Sequence, residues 1–417
     1  MKILKLFAEK EENLEINNIY KRQREESLDF KGIPASSGIY GIHPYPAMFH
    51  FMVVRKFIKE LTKEGAFILD PFCGSGVSAV EALKNNRNYF GFDINPLAIL
   101  ITKVRTTPIA IESLLNVLDN ILKMSVQNYE IPYFDNIYYW FEESVIEELA
   151  KLRAKIFKID DIKIQNFFKV VFSETVRKVS NTDPNEFKLI KRRINKQLDV
   201  KKIFTEIAKR NISCLLDISN LNTKSEIFIE QKNVLDGLPI EDESIDLVIT
   251  SPPYGDSKTT VAYDQFSKLS LKWLGLYDNF KKSQLGYKLK NLDLDLPSEE
   301  LYKCLYEIEK KDKKRAKEIY SFYYDLYLAI KQISKKVKTG GHVIFVVGNR
   351  TVKGIELPTD KICADFFKQC GFIHEITLVR QISNKRMPVQ TSPTNIKGQK
   401  ASTMKYEYIV ILKKIKK

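Results

Sequence analysis

The chain has 417 residues, of which 44% are hydrophobic and 29% are charged. This length and composition favour a soluble globular protein with a large core, organised as a catalytic domain with insertions. The formal net charge is +15, and such an excess of lysine and arginine indicates a polyanionic partner. Residues 151–210 carry 17 lysines and arginines against 7 acidic residues, so the positive charge is concentrated in one region.

The cysteines and the apolar runs argue against several classes of protein. The five cysteines are Cys73, Cys214, Cys304, Cys363 and Cys370. They form no Cys-x-x-Cys pair and have no histidine at zinc spacing, which predicts reduced thiols and no metal site. No apolar run reaches about 18 residues, and residues 1–10 lack the apolar core of an export signal. We therefore expect a cytoplasmic protein without a membrane partner.

The first 61 residues predict an arm, a rigid loop and a helix. Residues 1–40 are mixed and highly charged, and residues 21–26 are typical of a solvated helix or arm. His43 and Pro44 open a stretch of prolines and aromatic residues that favours a fixed loop. Residues 51–61 have the pattern of an amphipathic helix.

A strand, a glycine loop and a helix follow. Residues 66–69 predict a buried strand that leads into Asp70-Pro71-Phe72-Cys73-Gly74-Ser75-Gly76, and residues 77–85 predict a helix. The next predicted strand, residues 88–92, ends at Asp93, about 20 residues beyond the loop, where a carboxylate can accept both ribose hydroxyls. No Gly-Lys-Ser/Thr follows, which excludes a Walker phosphate loop. The arrangement predicts a bound adenosine-like cofactor.

Residues 108–226 predict a helical, basic insertion. It contains the basic region 151–210 and the cluster Lys191, Arg192 and Arg193. Two interpretations are open for the cluster: a module that contacts phosphates, or a solvated helix face. In both, the insertion splits the α/β domain without changing its class.

The sheet is predicted to resume after this insertion. Its strands are predicted at 227–230, 233–236, 245–249, 342–347, 372–379 and 406–412. Residues 257–325 form a second insertion, so the catalytic domain comprises 41–107, 227–256 and 326–417. Asn233 either contacts an adenine or is a turn-forming residue. Lys385 and Arg386 lie in a basic hairpin loop suited to a phosphate or to a substrate base.

The strand at 245–249 delivers Thr250-Ser251-Pro252-Pro253-Tyr254 to the carboxyl edge of the sheet, where α/β proteins bind ligands. The prolines have fixed φ and no N–H, so their carbonyls become free acceptors in a rigid turn. Ser251 adds an acceptor and Tyr254 a flat face. Alone, the pentapeptide would more simply be a turn with a packed tyrosine. Beside a cofactor loop, it predicts a pocket for a planar base with an exocyclic amine.

Three segments together resemble a known family. Residues 70–76, Asp93 to Ala98 and Thr250 to Tyr254 are similar to the motifs of S-adenosylmethionine-dependent DNA amino-methyltransferases, specifically those that make N4-methylcytosine. The resemblance covers residues 40–107 and 227–417. It implies an α/β, Rossmann-like class I methyltransferase fold, with a seven-stranded, mostly parallel sheet and helical insertions. It also implies S-adenosylmethionine as cofactor, double-stranded DNA as substrate and, as a possible partner, a cognate restriction endonuclease.

The resemblance also implies the site residues. For the cofactor these are His43, Pro44, Asp70, Phe72, Cys73, Gly74, Gly76, Asp93, Ile94, Asn233, Val234 and Thr250. Asp93 would take the ribose and Ile94 the adenine, while Asn233 departs from the family, which more often has aspartate there. For catalysis they are Ser251, Pro252, Pro253 and Tyr254. Ser251 Oγ and the Pro252 carbonyl would accept the amine protons, and Tyr254 would stack on a base taken out of its duplex.

Ser251 also bears on the choice of substrate. Serine rather than aspartate at this position favours cytosine N4 over adenine N6. No Pro-Cys dipeptide occurs in the chain, which disfavours carbon-5 methylation through a thiolate. An RNA guanine N2-methyltransferase and an inactive DNA-binding subunit remain as alternatives.

Overall fold

The computed structural model describes residues 20–183, 186–192, 198–255, 262–291, 294–382, 390–391, 401–402 and 404–416. The strands are β1 (Arg22–Arg24), β2 (Phe67–Asp70), β3 (Asn88–Asp93), β4 (Ile227–Gln231), β5 (Ile245–Thr250), β6 (Val337–Val347), β7 (Arg350–Val352), β8 (Ile355–Leu357), β9 (Phe372–Gln381), β10 (Gln390–Thr391), β11 (Ala401–Ser402) and β12 (Tyr406–Lys414). The α-helices are α1 (Phe51–Leu61), α2 (Val77–Lys84), α3 (Pro96–Arg105), α4 (Ile111–Lys123), α5 (Ile137–Trp140), α6 (Glu143–Phe157), α7 (Ile162–Val179), α8 (Val200–Ser219), α9 (Tyr263–Leu274), α10 (Glu299–Lys311), α11 (Lys313–Lys336) and α12 (Thr359–Gln369).

Eight strands form one sheet in the order β1-β9-β12-β6-β5-β2-β3-β4. Strand β12 is antiparallel to both of its neighbours, whereas the other pairs in this sheet are parallel. The predicted seven-stranded, mostly parallel sheet is therefore present, and β1 adds an eighth strand at its edge. Helices cover both faces, so the predicted Rossmann-like α/β fold is confirmed.

The extra strand corrects the prediction for residues 21–26. Of the solvated helix or arm expected there, the helix is wrong: Arg22–Arg24 is exposed, and it pairs in parallel with Thr377, Leu378 and Val379 of β9. Arg22 also makes two 2.7 Å hydrogen bonds to the buried carboxylate of Asp360. Main-chain pairing with an open sheet edge and this ion pair hold the segment, and a charge pattern does not reveal either interaction.

The segment predicted as a strand at 233–236 is instead a 3-10 helix over Val234–Asp236. The Asn233 side chain caps it by accepting a 3.0 Å hydrogen bond from the Leu235 N–H. Gly237, at φ +82, turns the chain immediately afterwards. A local side-chain cap has therefore prevailed over the apolar pattern.

The sheet separates two hydrophobic clusters. Strand residues alternate between them, because Leu247 and Ile249 belong to one cluster and Val248 to the other. Helices α1–α9 contribute to the first cluster and α10–α12 to the second. The helices of residues 108–226 thus share a core with α1–α3. The proposed domain boundary at 325/326 falls inside α11.

The chain order creates a switch point beside β2. From β2 the chain moves to β3 and β4 on one side, whereas β5 and β6 lie on the other. The loops after β2 and β5 therefore diverge from adjacent strands at one edge of the sheet, which leaves a crevice for a ligand. Within the ranges given above, no helix is both long and apolar enough to cross a membrane.

Candidate active site

A cavity lies at this switch point, between the glycine loop after β2 and the turn after β5. Ten residues expected at the site line it: Asp70, Phe72, Cys73, Gly74, Asp93, Ile94, Asn233, Val234, Ser251 and Pro253. They come from four segments of the chain that the sheet brings together. The structure therefore places the glycine loop, the acidic end of β3 and the Ser-Pro-Pro turn around one space.

Six residues expected at the site are not among those that line this cavity. His43 is fully buried with its ring edge against Phe266, and burial lowers its pKa to about 3. Pro44 is exposed, and Pro252 is buried. The lining comes instead from residues 45–49 of the same segment, so the contact expected of His43 and Pro44 belongs to their neighbours.

Gly76, Thr250 and Tyr254 do not line the cavity but adjoin residues that do. Gly76 has φ +81, and an ideal Cβ there would lie 2.5 Å from Thr102 Cγ2, so this glycine lets α2 approach α3 closely. Thr250 is completely buried and bonds to Asp70. The hydroxyl of Tyr254 lies 3.1 Å from Ser251 Oγ. The stacking predicted for the Tyr254 ring stays a prediction.

Asp70 connects the two motifs. Its Oδ1 accepts from Thr250 Oγ1 at 2.6 Å and from the Phe72 N–H at 3.1 Å. Its Oδ2 accepts from Ser78 Oγ at 2.5 Å. Burial raises the pKa of Asp70 to about 6, against the effect of these hydrogen bonds. The carboxylate therefore fixes the glycine loop, the first turn of α2 and the end of β5 relative to each other.

Asp93 has the same kind of environment at the end of β3. Its Oδ2 accepts from the Gly74 N–H at 2.9 Å, and its Oδ1 accepts from the Asn95 N–H at 2.8 Å. Burial raises its pKa to about 6. The Ile94 backbone N–H also interacts with this carboxylate. Since its two oxygens offer about four lone pairs, the carboxylate can still accept a hydrogen bond from a ligand in the cavity.

Asn233 uses its side chain mainly within the protein. Besides capping Leu235, its Nδ2 donates to the Ser283 carbonyl at 3.2 Å. This arrangement favours the turn-forming interpretation of Asn233. One amide proton still remains for a ligand, since an NH2 group has two.

Arg105 is a structural residue of the site that the sequence analysis missed. It is fully buried, and its Nη1 donates to the Ser75 carbonyl at 2.7 Å and to Ser75 Oγ at 2.8 Å. Its Nη2 donates to the Tyr40 carbonyl at 2.6 Å. Burial lowers its pKa to about 10. An arginine in the last turn of the mostly apolar helix 96–105 was the available signal.

The second insertion also supplies part of the wall. Tyr263 and Phe280 line the cavity, and the Tyr263 ring stacks on Tyr45 with centroids 5.8 Å apart. Asn95 Nδ2 donates to Tyr45 Oη at 3.0 Å and to Ser267 Oγ at 2.9 Å. No sequence motif marks these residues, because their role depends on packing between distant segments.

Comparison with known proteins identifies the family. The chain matches the DNA methylase family over residues 3–104. It is 39% identical over 411 residues to Type II methyltransferase M.MvaI of Kocuria varians, covering 89% of this chain and 90% of that protein.

The chain belongs to the N6/N4 family of DNA amino-methyltransferases.

Other matches are shorter or more distant. Type II methyltransferase M.MjaII of Methanocaldococcus jannaschii is 32% identical over 119 residues, which cover 28% of this chain and 22% of that protein. A solved S-adenosylmethionine-dependent methyltransferase from Methanosarcina mazei is 11% identical, with a TM-score of 0.30 over 87% of this chain and 98% of that one.

This DNA amino-methyltransferase takes its methyl group from S-adenosylmethionine. The cavity fits that cofactor. It combines the partly buried carboxylate of Asp93, which can accept a further hydrogen bond, the backbone of a glycine loop, and apolar walls that include Ile94 and Val234. An adenosine needs this combination of a hydrogen-bond acceptor and an apolar slot.

Two of the basic residues expected to bind DNA lie on a loop beside the cavity wall. Lys191 and Arg192 are exposed. In the same loop, the Leu189 N–H donates to Gln265 Oε1 at 3.1 Å, in the first turn of α9, where Tyr263 lines the cavity. Arg193, Lys385 and Arg386 lie outside the described residues.

Proposed function

We propose that this enzyme transfers a methyl group from S-adenosylmethionine to the exocyclic N4 amine of a cytosine that has left its duplex stack. One observation carries the proposal: the residue that meets the cavity directly after β5 is Ser251, a hydroxyl rather than a carboxylate. The family resemblance associates a serine at this position with cytosine. Its position at the edge of the cofactor cavity supports a direct role.

The proposed cofactor contacts follow from the lining residues. Asp93 accepts the ribose hydroxyls through its remaining lone pairs, and Ile94 and Val234 pack on the adenine. Phe72 and Gly74 lie against the methionine end. Asp70 acts indirectly, because its hydrogen bonds hold the glycine loop against Thr250.

The chemistry requires an amine that is normally a weak nucleophile. Its lone pair is delocalised into the ring, so acceptors that draw on its N–H bonds favour the tetrahedral nitrogen needed for attack. Ser251 Oγ, which lines the cavity, supplies one of these acceptors, and the carbonyl of the adjacent, buried Pro252 is proposed as the other. As the N–CH3 bond forms, the S–CH3 bond breaks with its electrons remaining on sulfur, and the amine releases one proton to solvent. Holding nitrogen, methyl and sulfur in line supplies much of the acceleration.

We further propose that the insertion 108–226 contacts the DNA. Lys191 and Arg192 carry exposed charge on a loop that packs on the helix bearing Tyr263. Lys191 Nζ lies 4.1 Å from the ring centroid of the half-exposed Tyr139, so aromatic and basic side chains occur together there. Such surfaces suit phosphates and bases. Site-specific methylation of this kind would mark host DNA in a restriction–modification system, alongside a cognate endonuclease.

Isotope labelling distinguishes the candidate functions. Purified enzyme with labelled S-adenosylmethionine should place the label on duplex DNA, and digestion to nucleosides should release N4-methylcytosine. Label recovered as N6-methyladenine would establish the adenine alternative, and label on structured RNA alone would establish the RNA guanine alternative. DNA binding without transfer would indicate the inactive subunit. Sequencing the modified bases of a host that expresses the chain would give the recognition site.

A further inference from the structure

Ser251 begins a chain of two hydrogen bonds that links the turn after β5 to β12. We call this chain, Ser251–Tyr254–Glu407, the relay. Its Oγ lies 3.1 Å from Tyr254 Oη, and Tyr254 Oη lies 3.2 Å from Glu407 Oε1 on β12. The second oxygen of Glu407 lies 3.6 Å from Arg380 Nη1 on β9. The Glu407 side chain is 17% exposed and that of Arg380 is 3% exposed. Four residues from three parts of the chain thus form one connected group.

The carboxylate of Glu407 sets the donor and acceptor roles in these hydrogen bonds. An ionised carboxylate has no proton and can only accept. Tyr254 has one hydroxyl proton, which must go to Glu407, so its oxygen is left to accept from Ser251. The single proton of Ser251 is then committed to Tyr254. The free lone pairs of Ser251 Oγ remain for a ligand, and the hydroxyl cannot also donate to it.

We propose that Glu407 and Tyr254 are positioning residues that make Ser251 an obligate hydrogen-bond acceptor, and that they thereby select a target base with an exocyclic amine. An amine N–H satisfies Ser251, whereas a carbonyl oxygen at the same place would face its lone pairs. The site should therefore bind uracil or thymine less well than cytosine, and hypoxanthine less well than adenine, because each of them has a carbonyl in place of the amine. The inference rests on the proposed contact between Ser251 and the target amine.

Packing holds the Tyr254 ring where the relay requires it. Gly348 follows β6, and an ideal Cβ there would lie 2.8 Å from Tyr254 Cδ2 and 1.9 Å from Met404 Sδ. Only glycine allows the ring to approach the backbone so closely at this point. Burial also raises the pKa of the Tyr254 hydroxyl well above its usual range, so this group keeps its proton.

The relay can be tested without turnover by measuring binding to two DNA duplexes that differ only in the target base. The recognition site found by sequencing is synthesised twice, once with the natural target base and once with its exocyclic amine replaced by a carbonyl. Dissociation constants are measured in S-adenosylhomocysteine for wild type, Tyr254→Phe and Glu407→Gln. Tyr254→Phe releases the Ser251 proton. The amide introduced by Glu407→Gln can donate to the Tyr254 oxygen. Tyr254 can then donate to Ser251, which leaves the Ser251 proton free for a ligand.

The expected result is a loss of discrimination. Wild type should prefer the amine duplex, and in both variants the ratio of the two dissociation constants should shrink by about three- to tenfold, the value of one hydrogen bond. The control is Tyr406→Phe, which removes a phenol hydroxyl from the adjacent, 40% exposed residue of β12. That control should keep the wild-type ratio. Ratios unchanged in both folded variants, or changed equally in the control, would overturn the relay.

A kinetic cycle gives a second, independent measurement. Tyr254→Phe should lower the single-turnover rate about tenfold or more while leaving the KM values for DNA and cofactor within about twofold. In a Ser251→Ala background the same change should add no further loss, because its effect passes through Ser251. Additive losses would reject the relay. The identity of the methylated base is determined with the wild-type enzyme alone. An adenine product would reject the cytosine proposal, but the relay could still be tested with a duplex that carries hypoxanthine in place of the target adenine.

Discussion

Thr250 Oγ1 donates a 2.6 Å hydrogen bond to Asp70 Oδ1, which joins two motifs that lie 180 residues apart in the chain. Both residues are buried, at 0% and 3% exposure. Asp70 begins the glycine loop that would hold the cofactor, and Thr250 precedes the serine that would hold the base. Because β2 and β5 are adjacent parallel strands, the bond fixes the start of the glycine loop relative to the Ser-Pro-Pro turn.

The first prediction concerns this bond. Thr250→Val keeps the shape of the side chain but leaves a buried acceptor on Asp70 without one partner. We expect a loss of about 1–3 kcal/mol in the free energy of unfolding, measured by urea denaturation, together with slower methyl transfer. Thr351→Val, at an exposed position of β7, is the matched control and should stay within about 0.5 kcal/mol of wild type. Equal behaviour of the two variants would contradict the assigned role.

The second prediction concerns pH. Burial raises the pKa of Asp93 to about 6, so the free enzyme takes up a proton there as the pH falls through 6. Cofactor binding through the ribose hydroxyls requires the ionised carboxylate, and the proton must then be released. We expect the affinity for S-adenosylmethionine to be nearly constant above pH 7 and to fall about tenfold for each pH unit below 6. Isothermal titration calorimetry at pH 5, 6 and 7 measures this.

Two variants separate Asp93 from other carboxylates. Asp93→Asn should bind weakly at pH 7 and lose most of the pH dependence. Burial also raises the pKa of Asp365 to about 6, but that residue lies on α12, outside the cavity lining. Asp365→Asn should therefore retain the wild-type profile. A profile that Asp93→Asn leaves intact would assign the titration to another group.

The parts that the sequence predicted well are those with local signals. The strand, glycine loop, helix and terminal Asp93 occur within about 30 residues, in an order that a βαβ unit imposes. The strand preceding Ser251 is apolar apart from Asp246 and Thr250. Both patterns arise from burial on both faces of a parallel sheet, so they can be read without knowing the neighbours.

The parts that were missed depend on distant partners. Arg22–Arg24 is charged at every other residue and becomes a strand only because β9 offers an open edge. Arg105 acts on Ser75 and Tyr40, which lie 30 and 65 residues away. Glu407 has no motif around it, and its contacts are with Tyr254 and Arg380, which are distant in the sequence. Sequence spacing cannot encode such contacts, because they form only when the sheet is assembled.

The third prediction separates two effects of a glycine. Gly76 and Gly340 have nearly equal φ, +81 and +84, but a Cβ would meet Thr102 at Gly76 and nothing within 4 Å at Gly340. Gly340→Ala should cost about 1–2 kcal/mol of stability from its backbone conformation alone. Gly76→Ala should cost about 1–3 kcal/mol more through overpacking, with weaker cofactor binding. Thermal and urea unfolding measure both, and equal costs would mean that α2 and α3 adjust freely.

The fourth prediction concerns the buried guanidinium. Arg105→Met fills a similar space but leaves the Ser75 and Tyr40 carbonyls without their donor. We expect a loss of about 1–3 kcal/mol in stability and weaker binding of S-adenosylmethionine, because the glycine loop loses its connection to residues 40–48. Lys103→Met, on the exposed side of the same helix, should change neither quantity. Unchanged cofactor affinity in Arg105→Met would limit this residue to a role in folding.

The fifth prediction concerns DNA binding by the loop beside α9. If Lys191 and Arg192 contact phosphates, their replacement by alanine removes two sites of counterion release. The slope of log K against log salt should become shallower by about 1.8, since each phosphate contact contributes about 0.9. Lys313→Ala/Lys314→Ala removes the same charge from the exposed start of α11. That helix packs on the opposite face of the sheet from α9, so this double variant should keep the wild-type slope. Equal slopes in both double variants would show that overall charge, rather than this loop, governs binding.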